Sequence, residues 1–177
     1  MAVSQDKNIY LIGPRASGKT TLGRMLATEL ERPFLDLDEE FLQSTGRTIA
    51  EVVETEGWES FRDLETSVLA SIAGTPGHVV ATGGGVVLKA RNRELLIEGV
   101  VIYLQTDPEK VVARLMEELL PEQRPALTDL ALEDEVRKTV EERDPYYLAC
   151  AHLVAPDLPL EELAERITEE LLEWPEE

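Results

Sequence analysis

Residues 13–20 have the sequence Gly-Pro-Arg-Ala-Ser-Gly-Lys-Thr, which matches the phosphate-loop pattern G-x-x-x-x-G-K-S/T. The apolar run at 9–12 predicts a buried strand before the loop, and the apolar spacing at 21–27 predicts a helix after it. In that context the loop directs backbone N–H groups and the positive end of a helix dipole toward an anion. An ordinary turn is the alternative, but it does not account for the strand and the helix. The sequence therefore predicts that the chain binds a nucleoside triphosphate.

The phosphate loop also predicts individual contacts. We expect Lys19 to reach the β- and γ-phosphates of ATP and the Thr20 hydroxyl to bind Mg²⁺, the cofactor of such sites. The expected ATP contacts in the loop and at the helix start are Gly13, Ala16, Ser17, Gly18, Lys19, Thr20 and Thr21.

Length and composition indicate the class of protein. A chain of 177 residues suits one domain with one core, so we expect a single domain at 1–177. The single cysteine, Cys150, excludes an internal disulfide framework. The chain has no apolar run of roughly 18 residues and no apolar signal region near its N-terminus. We therefore expect a cytoplasmic monomer without a membrane partner.

The formal net charge of −19 opposes non-specific nucleic-acid binding, so no nucleic-acid partner is expected. A site for anionic ligands in such a chain must concentrate its positive charge locally. The candidate cations for that site are Arg15, Lys19, Arg62, Arg124 and Arg143.

Strand and helix patterns alternate along the chain. Alternation of this kind predicts an α/β fold in which a parallel sheet is covered on both faces, with ligands at the carboxyl ends of its strands. The later strands are predicted at 33–38, 78–82, 100–104 and 152–155. The later helices are predicted at 39–45, at 48–72, near 109–119, from about Glu133, and at 160–173.

The segment 120–129 fits neither pattern, since it contains two prolines and an arginine in a polar stretch. Long loops in compact domains are usually functional or disordered. We expect a mobile lid at about 118–131 that closes over ATP, with Arg124 contacting its phosphates. A plain surface loop is the alternative.

Two carboxylates, Asp36 and Asp38, stand at the end of the second predicted strand. Residues two apart in a strand share one face, so both would face the ligand edge of the sheet. Phosphoryl transfer needs one carboxylate near Mg²⁺ and another at the acceptor hydroxyl. We assign the metal role to Asp36, through water, and the acceptor role to Asp38. The alternative is that either residue caps the following helix.

Three glycines at 83–85 follow the third predicted strand, where they allow positive φ and close approach of backbone N–H groups to a ligand. A tight turn is the alternative. Arg62 and Arg143 lie on predicted helices and could together bind a substrate carboxylate, for which guanidinium is better suited than ammonium. Taken singly, each is more often half of a surface ion pair.

These residues make the chain similar to the shikimate kinase family, over nearly its whole length. The resemblance is to the variant whose phosphate loop begins Gly-Pro-Arg. The most specific part is the run Gly57-Trp58-x-x-Phe61-Arg62-x-x-Glu65 together with the three glycines. The other matching stretches are Asp36-x-Asp38, the residues 48–54, Val101-Ile102-Tyr103-Leu104, Gln123-Arg124-Pro125-x-Leu127-Thr128 and Glu142-Arg143-x-x-x-Tyr147.

The resemblance implies a nucleoside monophosphate kinase-like fold with a five-stranded parallel sheet. It also implies transfer of the γ-phosphate of ATP to the 3-hydroxyl of shikimate, on the route to chorismate and aromatic amino acids. The substrate-binding helical region would lie at about 38–65. The shikimate contacts implied by the resemblance are Asp38, Arg62, Gly83, Gly84 and Arg143.

The resemblance implies further roles. Lys19, Asp38 and Arg124 would be the catalytic residues, and Thr20 and Asp36 would bind the metal. Arg15 and the loop near Pro156 would contact ATP at its adenine, and Glu65 would support Arg62.

Two other functions remain as alternatives. One is a different small-metabolite kinase, such as a gluconate kinase or a nucleoside monophosphate kinase, which shares the phosphate loop but not the Arg62 run beside three glycines. The other is a nucleotide-binding switch. A GTPase switch would require an Asn-Lys-x-Asp guanine-binding motif, which this sequence lacks.

Overall fold

A computed structural model describes residues 2–118 and 129–175 and shows an α/β fold. Its five strands form one all-parallel sheet in the order β2-β3-β1-β4-β5, as the resemblance implied. The strands are β1 at Ile9–Ile12, β2 at Phe34–Asp36, β3 at Val79–Ala81, β4 at Val100–Leu104 and β5 at Leu153–Ala155.

Helices cover both faces of the sheet. None of the helices in the described part of the chain is long and apolar enough to cross a membrane. The helices are α1 at Lys19–Glu29, α2 at Leu37–Thr45, α3 at Ile49–Ala73, α4 at Ala90–Ile97, α5 at Pro108–Glu118, α6 at Asp129–Cys150 and α7 at Leu160–Leu172, with a short 3₁₀ turn at Val86–Leu88.

Two helices differ from the prediction. The helix α4 was not predicted, because its first half is polar and Leu95 and Leu96 are its only buried apolar residues. The helix α6 begins at Asp129 rather than near Glu133. Both differences concern segments with a weak apolar periodicity, where sequence patterns place boundaries poorly.

Strand β1 lies at the centre of the sheet and is buried along its whole length. Its side chains alternate between two cores, with Tyr10 and Ile12 on one face and Ile9 and Leu11 on the other. Ile9 pairs in register with Val79 of β3 and with Val100 of β4. The loops that follow β1 and β3 therefore leave the sheet side by side.

The second predicted strand was too long at its carboxyl end. The side chain of Asp36 accepts hydrogen bonds from the backbone N–H groups of Asp38 at 2.9 Å and Glu39 at 3.3 Å. This N-cap starts α2 at Leu37, so Asp38 lies in the first turn of a helix. The expectation that the two carboxylates share one strand face was wrong, and the capping alternative is confirmed for Asp36.

Helix α3 has a kink at Gly57, whose φ of 87° and ψ of 172° are not helical. This backbone conformation is almost restricted to glycine. A Cβ atom at this position would have nothing within 4 Å, so the constraint is conformational and not one of space. The kink separates the first turns of α3, which carry Ile49 and Val53, from the part that carries Arg62.

We expect Gly57→Ala to lower the free energy of unfolding by about 1–3 kcal/mol, because alanine is strained in this conformation. Gly74→Ala is the matched control, since Gly74 ends the same helix with an ordinary φ of −74°. Urea denaturation of both variants measures the difference. Equal stabilities for the two variants would contradict the assigned backbone conformation.

Candidate active site

The phosphate loop joins β1 to α1 and has two glycines in conformations that favour glycine. Gly13 has a φ of 148°, and a Cβ atom there would lie 2.7 Å from the carbonyl oxygen of Leu104. Gly18, with a φ of 94°, is the N-cap of α1. Because glycine has no side chain, no capping group competes with a ligand for the first N–H groups of the helix. This geometry suits a bound phosphate.

Lys19 is only 8% exposed and lies beneath this loop. Its Nζ donates hydrogen bonds to the carbonyl oxygens of Gly13 at 2.8 Å and Pro14 at 2.7 Å. Burial lowers the pKa of Lys19 to about 8, although the charges of Asp38 and Asp36 act in the opposite direction. An anion bound beside Lys19 would stabilise its ammonium form. The burial of Lys19 therefore favours binding of a phosphate.

Thr20 and Asp36 lie together, since the hydroxyl of Thr20 donates a 2.9 Å hydrogen bond to Asp36 Oδ2. A hydroxyl and a carboxylate are oxygen ligands of the kind that Mg²⁺ prefers. Within residues 2–118 and 129–175, no cluster of three or more His, Cys, Asp or Glu side chains could hold a metal ion by itself. The pair therefore fits a Mg²⁺ ion that takes its remaining ligands from phosphates and water.

A cleft of about 690 Å³ opens above the phosphate loop, and we call it the nucleotide cleft. Arg114 of α5 lines it and donates a 2.9 Å hydrogen bond to the carbonyl oxygen of Ala16. Arg114 was not predicted as a site residue, because an arginine in an amphipathic helix resembles an ordinary surface residue. The predicted site residues that line this cleft are Arg15, Ala16, Ser17, Gly18, Lys19, Thr20, Thr21, Asp36, Asp38, Gly83 and Gly84.

A second cleft of about 700 Å³ adjoins the first, and we call it the acceptor cleft. Apolar side chains of α3 and the three arginines Arg15, Arg62 and Arg143 line it. The two clefts share Arg15, Asp38, Gly83 and Gly84, so they meet at these residues. The predicted substrate contacts Asp38, Arg62, Gly83, Gly84 and Arg143 all line the acceptor cleft, together with Ile49, Ala50, Val53, Glu54, Trp58, Phe61, Glu65 and Gly85.

Arg62 is held in a fixed position in the acceptor cleft. Its Nη1 donates a 2.8 Å hydrogen bond to Glu65, which is 2% exposed, and its guanidinium lies 4.8 Å from the centre of the Phe61 ring. Burial raises the pKa of Glu65, whereas the charge of Arg62 acts to lower it. The ion pair makes the guanidinium rigid and leaves its other nitrogens for an anion.

The three glycines at 83–85 do not have the backbone conformation that was expected. None of Gly83, Gly84 and Gly85 has a positive φ, so that expectation was wrong. Space is the reason for glycine at 85, because a Cβ atom there would lie 2.6 Å from Arg62 Cζ. Gly85 was not among the predicted substrate contacts, since only the structure shows which side chain occupies that space.

Arg143 projects from α6 toward residues 83–85, which we call the glycine loop. Its Nη1 lies 3.6 Å from the position that a Cβ atom of Gly84 would occupy. The structure thus brings Arg143 and Arg62, which are far apart in the sequence, to one cleft. Two guanidinium groups in one cleft are suited to an anion, and specifically to a carboxylate.

Asp38 stands where the two clefts meet. Loss of water around the carboxylate, and then the negative charge of Asp36, raise its pKa, although Lys19, Arg15 and Arg62 act to lower it. A carboxylate with a raised pKa accepts a proton more readily than an ordinary one. This position and this basicity suit a group that meets an acceptor hydroxyl.

Two predictions, the lid with Arg124 and the adenine contacts, are not tested by the structure. Arg124 and the lid, apart from its ends, lie outside the described residues. The loop after β5 contacts α5 through a 2.7 Å ion pair between Asp157 and Lys110. Adenine binding near Pro156 and Arg15 stays a prediction.

The parallel sheet, the phosphate loop and the adjoining acceptor cleft define a phosphate-loop kinase. The shikimate kinase family model matches residues 15–173. A shikimate kinase from Nitratidesulfovibrio vulgaris is 45% identical over 167 residues, which cover 93% of this chain and 95% of the relative. A shikimate kinase 2 from an Enterobacter species is 47% identical over 82% of this chain and 84% of the relative.

A solved structure gives the same result. The shikimate kinase from Acinetobacter baumannii in complex with shikimate has a TM-score of 0.83 and 40% identity, covering 92% of this chain and 91% of that chain. The chain therefore belongs to the shikimate kinase family, whose members are ATP-dependent kinases. The resemblance found in the sequence is confirmed, and the alternative functions lose their support.

The lowered pKa of Lys19 makes the stability of the nucleotide-free protein depend on pH. The unfolded chain keeps this proton up to about the ordinary pKa of 10.5, whereas the folded protein releases it near 8. Between these values the unfolded state binds more protons, so the contribution of Lys19 to the free energy of unfolding rises with pH. It is fully present only above pH 10.5 and is lost as the pH falls through 8.

We expect the difference in unfolding free energy between the wild type and Lys19→Met to change by about 3 kcal/mol between pH 7 and pH 10.5. The change favours the wild type at high pH, because methionine has no proton to release. Urea denaturation at a series of pH values, without nucleotide, measures it. A difference that stays constant with pH would contradict the burial of the lysine.

Proposed function

We propose that the nucleotide cleft binds MgATP, that the acceptor cleft binds shikimate, and that the γ-phosphate passes to the 3-hydroxyl where the clefts meet. The products are ADP and shikimate 3-phosphate. The observation that carries this proposal is that Asp38, Gly83 and Gly84 line both clefts. Only at such a junction can a carboxylate contact an acceptor hydroxyl that faces a terminal phosphate.

The choice of acceptor rests on the arginines. Shikimate combines a carboxylate with ring hydroxyls, and the acceptor cleft offers guanidinium groups at Arg62 and Arg143. If these groups bind the carboxylate, the hydroxyl side of the ring is free to face Asp38. The relative from Acinetobacter baumannii binds shikimate, which supports the same acceptor for this chain.

Catalysis by this chain is mainly positioning and charge stabilisation. Lys19 neutralises charge on the transferring phosphoryl group, and the N–H groups of the phosphate loop hold its oxygens. Asp38 accepts a hydrogen bond from the 3-hydroxyl and thereby orients the attacking oxygen. We extend the catalytic set to Arg124, whose cation would approach the phosphates from the lid.

The metal role is assigned to Thr20 and Asp36. When bound, Mg²⁺ would supply positive charge that neutralises the charge developing on the phosphates. The Thr20 hydroxyl would bind the metal directly, and Asp36 would bind it through water. The monomeric state and the cytoplasmic location stay predictions.

A coupled assay for ADP release tests the proposal directly. ADP should form when MgATP and shikimate are both present, and little should form with shikimate left out or replaced by gluconate or a nucleoside monophosphate. Rapid ADP release with gluconate and none with shikimate would overturn the proposed acceptor. Ion pairing in the cleft implies that activity falls as salt concentration rises.

Asp38→Asn should lower kcat about 100-fold or more, because a neutral amide accepts a weaker hydrogen bond from the hydroxyl than a carboxylate does and cannot take up its proton. Binding of ATP should persist, since the phosphate loop is unchanged. Steady-state kinetics and calorimetric titration with ATP measure the two effects. Glu39→Gln is the matched control, as Glu39 is the next residue in α2 and pairs with Arg24 at 3.6 Å on the surface. Near-normal turnover of Asp38→Asn would remove its acceptor role.

Arg62→Lys and Arg143→Lys should each weaken shikimate binding by about tenfold or more, because lysine keeps the charge but loses the paired donors. Arg93→Lys is the control, since Arg93 bonds to the carbonyl oxygen of Val87 at 2.7 Å and does not line either cleft. Calorimetric titration with shikimate measures all three variants. Unchanged affinity in both cleft variants would place the carboxylate elsewhere.

A further inference from the structure

We propose that Tyr147 is a positioning residue for acceptor binding, whose hydroxyl holds Arg143 at the glycine loop. The inference rests on the proposed function, because it concerns how the acceptor cleft is kept in shape. Tyr147 does not line the cleft itself. It acts through the two groups that its oxygen contacts.

Tyr147 connects α6 to the glycine loop. The side chain is completely buried, and its hydroxyl donates a hydrogen bond to the carbonyl oxygen of Gly84, 63 residues away in the sequence. Arg143 lies beside these two groups, since its Nη1 is 3.6 Å from the position that a Cβ atom of Gly84 would occupy. Burial raises the pKa of Tyr147 to about 12, whereas the charge of Arg143 and a hydrogen bond from its guanidinium to the phenol act to lower it. One phenol thus joins an arginine of the acceptor cleft to a backbone group that borders both clefts.

A second tyrosine fixes the ring of Tyr147. Tyr103 of β4 stacks on it, with ring centres 4.8 Å apart and planes at 28°. The hydroxyl of Tyr103 donates a 2.7 Å hydrogen bond to Asp144 Oδ1, the neighbour of Arg143. Because β4 lies inside the sheet, these contacts tie this part of α6 to the core of the fold.

The need for these contacts follows from Pro145, which lies inside α6 between Arg143 and Tyr147. Proline has no backbone N–H group and so removes one hydrogen bond of the helix. The backbone alone therefore restrains this turn less than an ordinary helical turn. The side-chain contacts of Tyr147 and Asp144 supply the restraint at the turn that carries Arg143.

This role differs from plain packing. A phenylalanine at 147 would fill almost the same space and keep the stacking on Tyr103, so the core would lose little. It would lose only the bonds to Gly84 and Arg143, and burial would leave the Gly84 carbonyl without this donor. The effect should therefore appear in acceptor binding more than in stability.

Tyr147→Phe provides the first test. Calorimetric titration should show about tenfold weaker binding of shikimate, the size expected for a lost hydrogen bond to a charged group, with unchanged binding of ADP. Tyr10→Phe is the matched control, because Tyr10 is also buried and its hydroxyl accepts a 3.2 Å hydrogen bond from Asn8, on a strand of the same sheet. That control should lower thermal stability by a similar amount and leave shikimate affinity unchanged.

A double-mutant cycle with Arg143→Ala distinguishes an effect of Tyr147 that passes through Arg143 from an effect on packing alone. If Tyr147 acts through Arg143, Tyr147→Phe should weaken shikimate binding much less in the Arg143→Ala background than in the wild type. If Tyr147→Phe weakens shikimate binding by the same factor in both backgrounds, the inference is overturned. Equal shikimate affinities of Tyr147→Phe and Tyr10→Phe would also overturn it. If wild-type protein does not bind shikimate at all, the proposed function fails, which is a separate outcome.

Discussion

The register of β1 between β3 and β4 is the constraint on which the site depends. It sets the ends of the central strands at one level, so the phosphate loop after β1 lies against the glycine loop after β3. Close approach of backbone at Gly84, where a Cβ atom would lie 3.1 Å from the Arg15 nitrogen, makes the two loops one continuous surface. The nucleotide cleft and the acceptor cleft meet on that surface, and α2, which begins directly after β2, brings Asp38 to it.

Charge is distributed to match this arrangement. The chain has a net charge of −19, yet Arg15, Lys19, Arg62 and Arg143 come together around the two clefts. Three of these cations have a restraint: loop carbonyls hold Lys19, Glu65 holds Arg62, and Tyr147 lies beside Arg143. Fixing these groups before the ligands arrive reduces the entropy that binding must overcome and excludes other orientations of the acceptor. A concentrated patch of positive charge on an acidic protein also attracts anionic ligands to this edge of the sheet.

The sequence predicted what local patterns determine. The strand before the phosphate loop, the loop and α1 were predictable from a motif with a fixed geometry, and the Gly57–Glu65 run placed Arg62 correctly beside Phe61 and Glu65. The residue roles that could not be predicted depend on contacts between segments far apart in the sequence. The role of Gly85 depends on where Arg62 lies, that of Arg114 on the carbonyl of Ala16, and that of Tyr147 on the glycine loop. The end of β2 was misplaced because an aspartate after a strand can continue it or cap a helix, and hydrogen bonds to Asp36 decide between the two.

The most direct measurement is a crystal structure of the protein with shikimate and a non-hydrolysable ATP analogue bound together. Our account predicts the shikimate carboxylate against the guanidinium groups of Arg62 and Arg143. It predicts the 3-hydroxyl within hydrogen-bond distance of Asp38 and in line with the terminal phosphate held above Lys19. A carboxylate bound away from both arginines, or a 3-hydroxyl turned away from the terminal phosphate, would contradict the account.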